Sequence, residues 1–123
     1  MMSVPSQNKP VVLVVEDEAL LRDCVVDQLQ DAGFGVIAAA NAEQGLQAFD
    51  EHGEVTTVFT DMSMPGRFDG LSLMRQVHAR RPSVQLILTS GRSAPHRADM
   101  PAGVRFLPKP YDCRALKALI RVA

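Results

Sequence analysis

Short aliphatic runs alternate five times with stretches of helical periodicity, and this alternation limits the chain to very few architectures. Val11–Val15 is an unbroken aliphatic run, as expected for a strand buried on both faces. Val36–Ala40, Val55–Thr60, Leu86–Thr89 and Val104–Leu107 read as the other strands. Leu21, Val25, Leu29 and Ala32 recur at helical spacing across about Leu20–Ala32, and Gly33 supplies the stop. Asn41 caps a second helix, with Gln44 three residues on and Ala42, Leu46 and Phe49 sharing a face. A third helix covers about Gly70–Arg81, carries Leu71, Met74 and Val77 as its core stripe, and is stopped by Pro82. Asp112 caps a final helix with Leu116, Leu119 and Ile120 inward. Between the last two strands, Pro95, Pro101 and Gly103 leave room only for a short or irregular helix. Five β–α units in succession predict an α/β fold: a parallel sheet with helices on both faces, joined by right-handed crossovers.

Composition narrows the function classes. The chain has 123 residues, enough for one domain, with 13 Lys+Arg against 14 Asp+Glu and a net charge of −1. That balance supplies no basic field for gripping a phosphate backbone, so direct nucleic-acid binding is not expected. No aliphatic run approaches the length of a membrane span, and the N-terminus lacks the pattern of a secretion signal. Cys24 and Cys113 are too few for a disulfide framework, so a reduced, cytoplasmic setting is expected. Residues 1–9 are polar and Pro-interrupted and are expected to form a flexible segment ahead of a domain spanning 10–123.

In a parallel α/β sheet, ligands collect beyond the carboxyl ends of the strands. The first strand is followed by Glu16, Asp17 and Glu18, the third by Asp61, the fourth by Ser90 and the fifth by Lys109. Side-by-side strands would bring these groups to one rim. Packed carboxylates repel one another, and a divalent cation with oxygen-only ligands, Mg²⁺ in particular, relieves that repulsion. A carboxylate beside such an ion can attack a phosphoryl group, with Lys109 as a mobile positive charge and Ser90 as a hydroxyl donor.

The segments V-V-E-D-E at 14–18, T-D-M-S-M-P-G at 60–66, D-G-L at 69–71, T-S-G at 89–91 and L-P-K-P at 107–110 resemble the receiver domain of bacterial response regulators. The resemblance runs in order from Lys9 onward and implies a flavodoxin-like, CheY-like sheet of order 2-1-3-4-5. It implies that Asp61 is the phosphoacceptor for a histidine-borne phosphoryl group, supplied by a sensor histidine kinase or histidine phosphotransfer protein. Asp17 resembles the direct Mg²⁺ ligand and Glu16 the one acting through water, with Asp61 and the backbone carbonyl of Ser63 completing the set. Lys109, ahead of a cis Pro110, would pair with Asp61 and then with the phosphoryl oxygens. Ser90, a hydroxyl before the small Gly91, aligns as the switch residue, and Phe106 as the aromatic that follows it. The implied product is a phosphorylated switch for an unidentified downstream protein rather than an enzyme with turnover.

Several features depart from the family or admit other readings. The loop Pro65–Gly70 is one residue longer than the common form, with Phe68 expected at the surface. Ser63 and Arg92, two places after Asp61 and Ser90, form an unusual pair at positions that tune phosphoryl lifetime. The chain is also compatible with a receiver segment of a hybrid kinase or longer regulator, or with a degenerate receiver that binds partners without phosphorylation. A small phosphatase using Asp61 is disfavoured because Ser63 stands where a second acid is needed. Taken singly, each landmark has a plainer reading: Glu16–Glu18 as helix-dipole partners, Asp61 and Ser90 as turn residues, Lys109 as solvated and Phe106 as core. Cys24 is expected in the core, Arg80–Arg81 and Arg92–Arg97 on solvated faces, and His52, His78 and His96 at the surface.

Overall fold

The structure is a computed structural model and describes residues 9–64, 68–92 and 94–121. The expected flexible segment lies outside these residues except for Lys9, as do Pro65, Gly66 and Arg67 of the long loop. The elements follow in the order β1 (Val11–Val15), α1 (Ala19–Asp31), β2 (Gly35–Ala39), α2 (Ala42–Glu51), β3 (Thr57–Asp61), α3 (Gly70–Arg80), β4 (Gln85–Ser90), β5 (Arg105–Pro108) and α4 (Cys113–Arg121). All strand pairs are parallel, and the sheet order is β2-β1-β3-β4-β5. The strands expected from aliphatic runs are therefore all present, the first with the expected bounds and the other four displaced by one or two residues at their ends.

Strand alternation divides the core into two layers. Leu13, Val15, Val58, Leu86 and Leu88 meet α2 and α3 through Ala42, Phe49, Leu73, Met74 and Val77. Val12, Val14, Phe59 and Ile87 meet α1 and α4 through Val25, Leu29, Leu116 and Ile120. In α3 the buried stripe includes Leu73, while Leu71 is only half-buried. Cys24, expected inside, is exposed, because α1 turns Val25 and Leu29 toward the sheet and leaves Cys24 on its flank.

The helix starts follow the local chemistry. Asn41 Oδ1 accepts from the Gln44 N–H at 2.8 Å, and Gln44 Oε1 reaches back to the Ala40 N–H at 3.2 Å. Asp69 and Asp112 accept from Ser72 and Arg114 N–H groups at 2.9 and 2.6 Å. Gly33 closes α1 with φ +96°, a conformation that only glycine adopts without strain.

The fourth crossover contains no α-helix among its described residues, only a single 3-10 turn at Arg97–Asp99. Arg75 Nη2 donates to the Asp99 carbonyl at 2.8 Å and holds this crossover to α3. Of the arginine pair expected on a solvated face, Arg80 is exposed as expected and Arg81 is half-buried. Arg80 pairs with Asp50 at 2.9 Å. Arg81 lies 4.2 Å over the Phe49 ring and donates to the Gly53 and Val55 carbonyls at 2.8 and 3.0 Å. At the amino end of the strands, Gln85 Nε2 and Arg105 Nη1 both reach the Leu119 carbonyl, at 2.8 and 3.4 Å, and fasten the far end of α4. Among the described residues no helix is long and apolar enough to cross a membrane.

Candidate functional site

Each strand end is extended by a backbone bond to its neighbour, and this fixes where the side chains emerge. The Glu16 N–H donates to the Ala39 carbonyl at 3.1 Å, Met62 to Thr89 at 2.8 Å, and Lys109 to Ser90 at 2.9 Å. Glu16, Asp61 and Lys109 are thereby brought together from three separate strand ends, as the sequence predicts. Lys109 Nζ lies 2.8 Å from Asp61 Oδ2 and 3.3 Å from Glu16 Oε1. The other Asp61 oxygen accepts the Ser63 N–H at 3.0 Å, and Glu16 Oε2 accepts the Glu18 N–H at 3.1 Å. The Lys109–Pro110 peptide is cis.

Asp61 and Glu16 are 5% and 4% exposed, so their charges sit where water screens them poorly. Burial lifts the Glu16 carboxyl above its ordinary range, against the Glu18 N–H that favours the charged form. The Asp61 charge adds to the lift and Lys109 offsets part of it. Burial works against the Lys109 ammonium, but its hydrogen bond to Asp61 and the charges of Asp61 and Glu16 outweigh this and hold it above its ordinary value.

Asp17 is exposed, yet it offers an oxygen to the same cluster: ligand atoms of Glu16, Asp17 and Asp61 all lie within 4.8 Å of one another. Lys109 alone does not neutralise three carboxylates. The surplus negative charge, the all-oxygen donors and the desolvated Glu16 fit a hard divalent cation such as Mg²⁺. Ser63, expected to contribute its carbonyl, is already oriented by its N–H bond to Asp61.

Ser90 is fully buried, and its Oγ accepts the Arg92 N–H at 3.0 Å. Phe106 is half-buried against the α2–α3 layer, in register with Leu88. By strand alternation Ser90 shares that sheet face, whereas Thr89 and Asp61 occupy the opposite one. Phe68, expected at the surface, also packs partly against the α2–α3 layer.

Four contributors were not anticipated from the sequence. Arg22 Nη1 donates to the Glu16 carbonyl at 2.8 Å and ties the acidic turn to α1. Thr60 Oγ1 donates to the Asp61 carbonyl at 3.0 Å. Gly70 lies so close to that carbonyl that a Cβ would overlap it. Tyr111 packs edge-on against Phe59, with centroids 5.4 Å apart, and shares a pocket with Glu18, Leu21, Gly91, Lys109 and Pro110. The D-G pair at 69–70 was the available signal for Gly70. Nothing in the local sequence distinguishes Arg22 from a solvated helix residue.

Comparison with known proteins places this rim in a family. A family model, described as the response regulator receiver domain, matches residues 12–121. The chemotaxis protein CheY of Listeria monocytogenes is 32% identical over 118 residues, covering 91% of this chain and 97% of that protein. The sensor kinase CckA of Brucella abortus is 35% identical over 114 residues, covering 89% of this chain. The chain spans 12% of the length of that kinase and 22% of the transcriptional regulatory protein YesN of Bacillus subtilis. Among solved structures, a response regulator receiver protein from Pseudomonas putida superposes with a TM-score of 0.83 at 31% identity, covering 94% of this chain and 98% of that one. Because the family match runs from the first strand into the last helix, and so includes every residue of the acidic rim and its lysine, the chain belongs to the response regulator receiver domains of two-component signalling.

Proposed function

We propose that Asp61 accepts a phosphoryl group from a phosphohistidine, carried by a sensor histidine kinase or a histidine phosphotransfer protein. The observation that carries this reading is the fixing of both carboxylate oxygens, Oδ2 by Lys109 Nζ at 2.8 Å and Oδ1 by the Ser63 N–H at 3.0 Å. An oriented, poorly hydrated carboxylate is prepared to attack phosphorus in line with the departing histidine nitrogen. The new O–P bond forms as the P–N bond breaks, and the nitrogen keeps the electron pair. Lys109 follows the charge that builds on the phosphoryl oxygens and holds it in the product. Glu16, Asp17, Asp61 and the Ser63 carbonyl would hold Mg²⁺, which supplies further charge neutralisation when bound. The chain acts as a phosphoacceptor taking part in its own modification, in a cytoplasmic setting.

The sheet geometry supports a readout through Ser90 and Phe106. In this reading the Ser90 hydroxyl exchanges the Arg92 N–H for a phosphoryl oxygen, and Phe106, on the same face, turns into the space left behind. The surface around β5 then changes its affinity for a downstream protein, by as much as the phosphoryl group distinguishes the two arrangements.

Intact mass after incubation with acetyl phosphate tests the proposal. Wild type should gain one phosphoryl group only with Mg²⁺, and Asp61→Asn should fold normally and gain none. A wild type that takes up neither the phosphoryl group nor beryllofluoride overturns it, as does labelling that survives in Asp61→Asn.

A further inference from the structure

The two cysteines lie outside the chemistry above, on the two helices that cover the same sheet face. Cys24 is in the middle of α1 and exposed, while Cys113 opens α4 and is half-buried. Leu21 of α1 and Tyr111, just before α4, line one pocket of about 500 Å³ beside Lys109. The flank of α1 that carries Leu21 therefore faces the start of α4. Cys24 follows Leu21 by three residues, which keeps it on that flank one turn further along. Cys113 lies two residues beyond Tyr111, on the stripe that Leu116 and Ile120 continue into the core. The phase of the two helices thus places both cysteines on flanks that border the same seam. Burial first, and then the nearby Cys24, hold the Cys113 thiol above its ordinary range.

We propose that Cys24 and Cys113 are a redox-responsive pair that closes an intramolecular disulfide between α1 and α4 on exposure to a hydroperoxide. Cys24, the exposed thiol, reacts first. Its thiolate attacks a peroxide oxygen, an S–O bond forms, the O–O bond breaks, and water leaves when the oxidant is hydrogen peroxide. The Cys113 thiol then gives up its proton as its sulfur attacks the Cys24 sulfur. The S–S bond forms, the S–O bond breaks, and the departing hydroxide takes that proton and leaves as a second water. Two thiols and one peroxide become one disulfide and two waters. The cross-link fixes the walls of the pocket beside Lys109 and raises resistance to unfolding, since it joins distant points of the chain.

The test is treatment of the full chain with hydrogen peroxide, followed by alkylation in denaturant, intact mass and peptide mapping. The expected result is a monomer lighter by two hydrogens, with both thiols blocked to alkylation and the Cys24 and Cys113 peptides joined. A thiol reductant should reverse it, and Cys24→Ser or Cys113→Ser should abolish it completely. Asp61→Asn should form the same cross-link, because no step involves that carboxylate. Accumulation of sulfinic acid on Cys24, or a disulfide between two chains, with Cys113 still open to alkylation, would overturn the proposal.

Discussion

At the β1–β3 half of the rim each buried carboxylate meets a fixed donor, whereas among the described residues the β4–β5 half leaves a hydroxyl unmet and has no α-helix in its crossover. Glu16 and Asp61 share Lys109, accept backbone N–H groups, and have their own carbonyls held by Arg22 and Thr60. Across the sheet, Thr89 Oγ1 is buried without a hydrogen-bond partner among the described residues. There the crossover rests on a 3-10 turn, and a pocket of about 410 Å³ opens among Pro95, Met100, Val104 and Phe106. The difference teaches where preorganisation is useful. Attack on phosphorus needs oxygens in fixed places, while a change of partner affinity needs a region with more than one low-energy arrangement.

Paired glycine substitutions test this contrast most sharply. Gly70→Ala drives a methyl into the Asp61 carbonyl and should cost about 2 kcal/mol or more, seen as a lowered denaturation midpoint. Gly91→Ala, where nothing lies within 4 Å of the added carbon, should change stability by less than about 0.5 kcal/mol. Equal effects would show that the two halves are constrained alike.

Thr89→Val keeps the shape and removes the unpaired hydroxyl, so it should gain about 1 kcal/mol, measured by denaturant unfolding. A loss of stability would reveal a partner for that hydroxyl and weaken the contrast. The smallest effect concerns Tyr111, the chain's single tyrosine. Burial, and after it the negative charge of Glu16, holds its phenol well above the ordinary value of 10.0. The folded state prefers the neutral phenol, so this contribution is complete below the unfolded value and is lost as pH rises through the folded one. Phenolate absorbance should appear only above the ordinary range in folded protein and return to it in guanidinium. Titration at the ordinary value while folded would mean that Tyr111 is not packed on Phe59.

The fold was legible because strands buried on both faces leave unbroken aliphatic runs, and caps such as Asn41 and Asp112 mark helix starts in a few letters. The meeting of Glu16, Asp61 and Lys109 was legible too, since topology brings the ends of parallel strands together. What escaped depended on rotational phase and on long-range contacts. Cys24 is one residue from the buried Val25, and only the roll of α1 decides which of them faces inward. Arg81 resembles any surface arginine until the chain at Gly53 and Val55 folds back beneath its guanidinium. Phe68 looked exposed because a polar loop gives no sign of the apolar layer it lies against.

The fastening of α4 has a mechanical consequence. Gln85 and Arg105 grip the helix through the Leu119 carbonyl, while its opposite end joins directly to the segment after Lys109. A rod pinned at one end answers a push at the other by tilting about the pin. Displacement of the β5–α4 connection would therefore be largest around Cys113 and fade toward Leu119, so that α4 behaves as a pointer whose pivot lies on the side of the sheet farthest from Asp61.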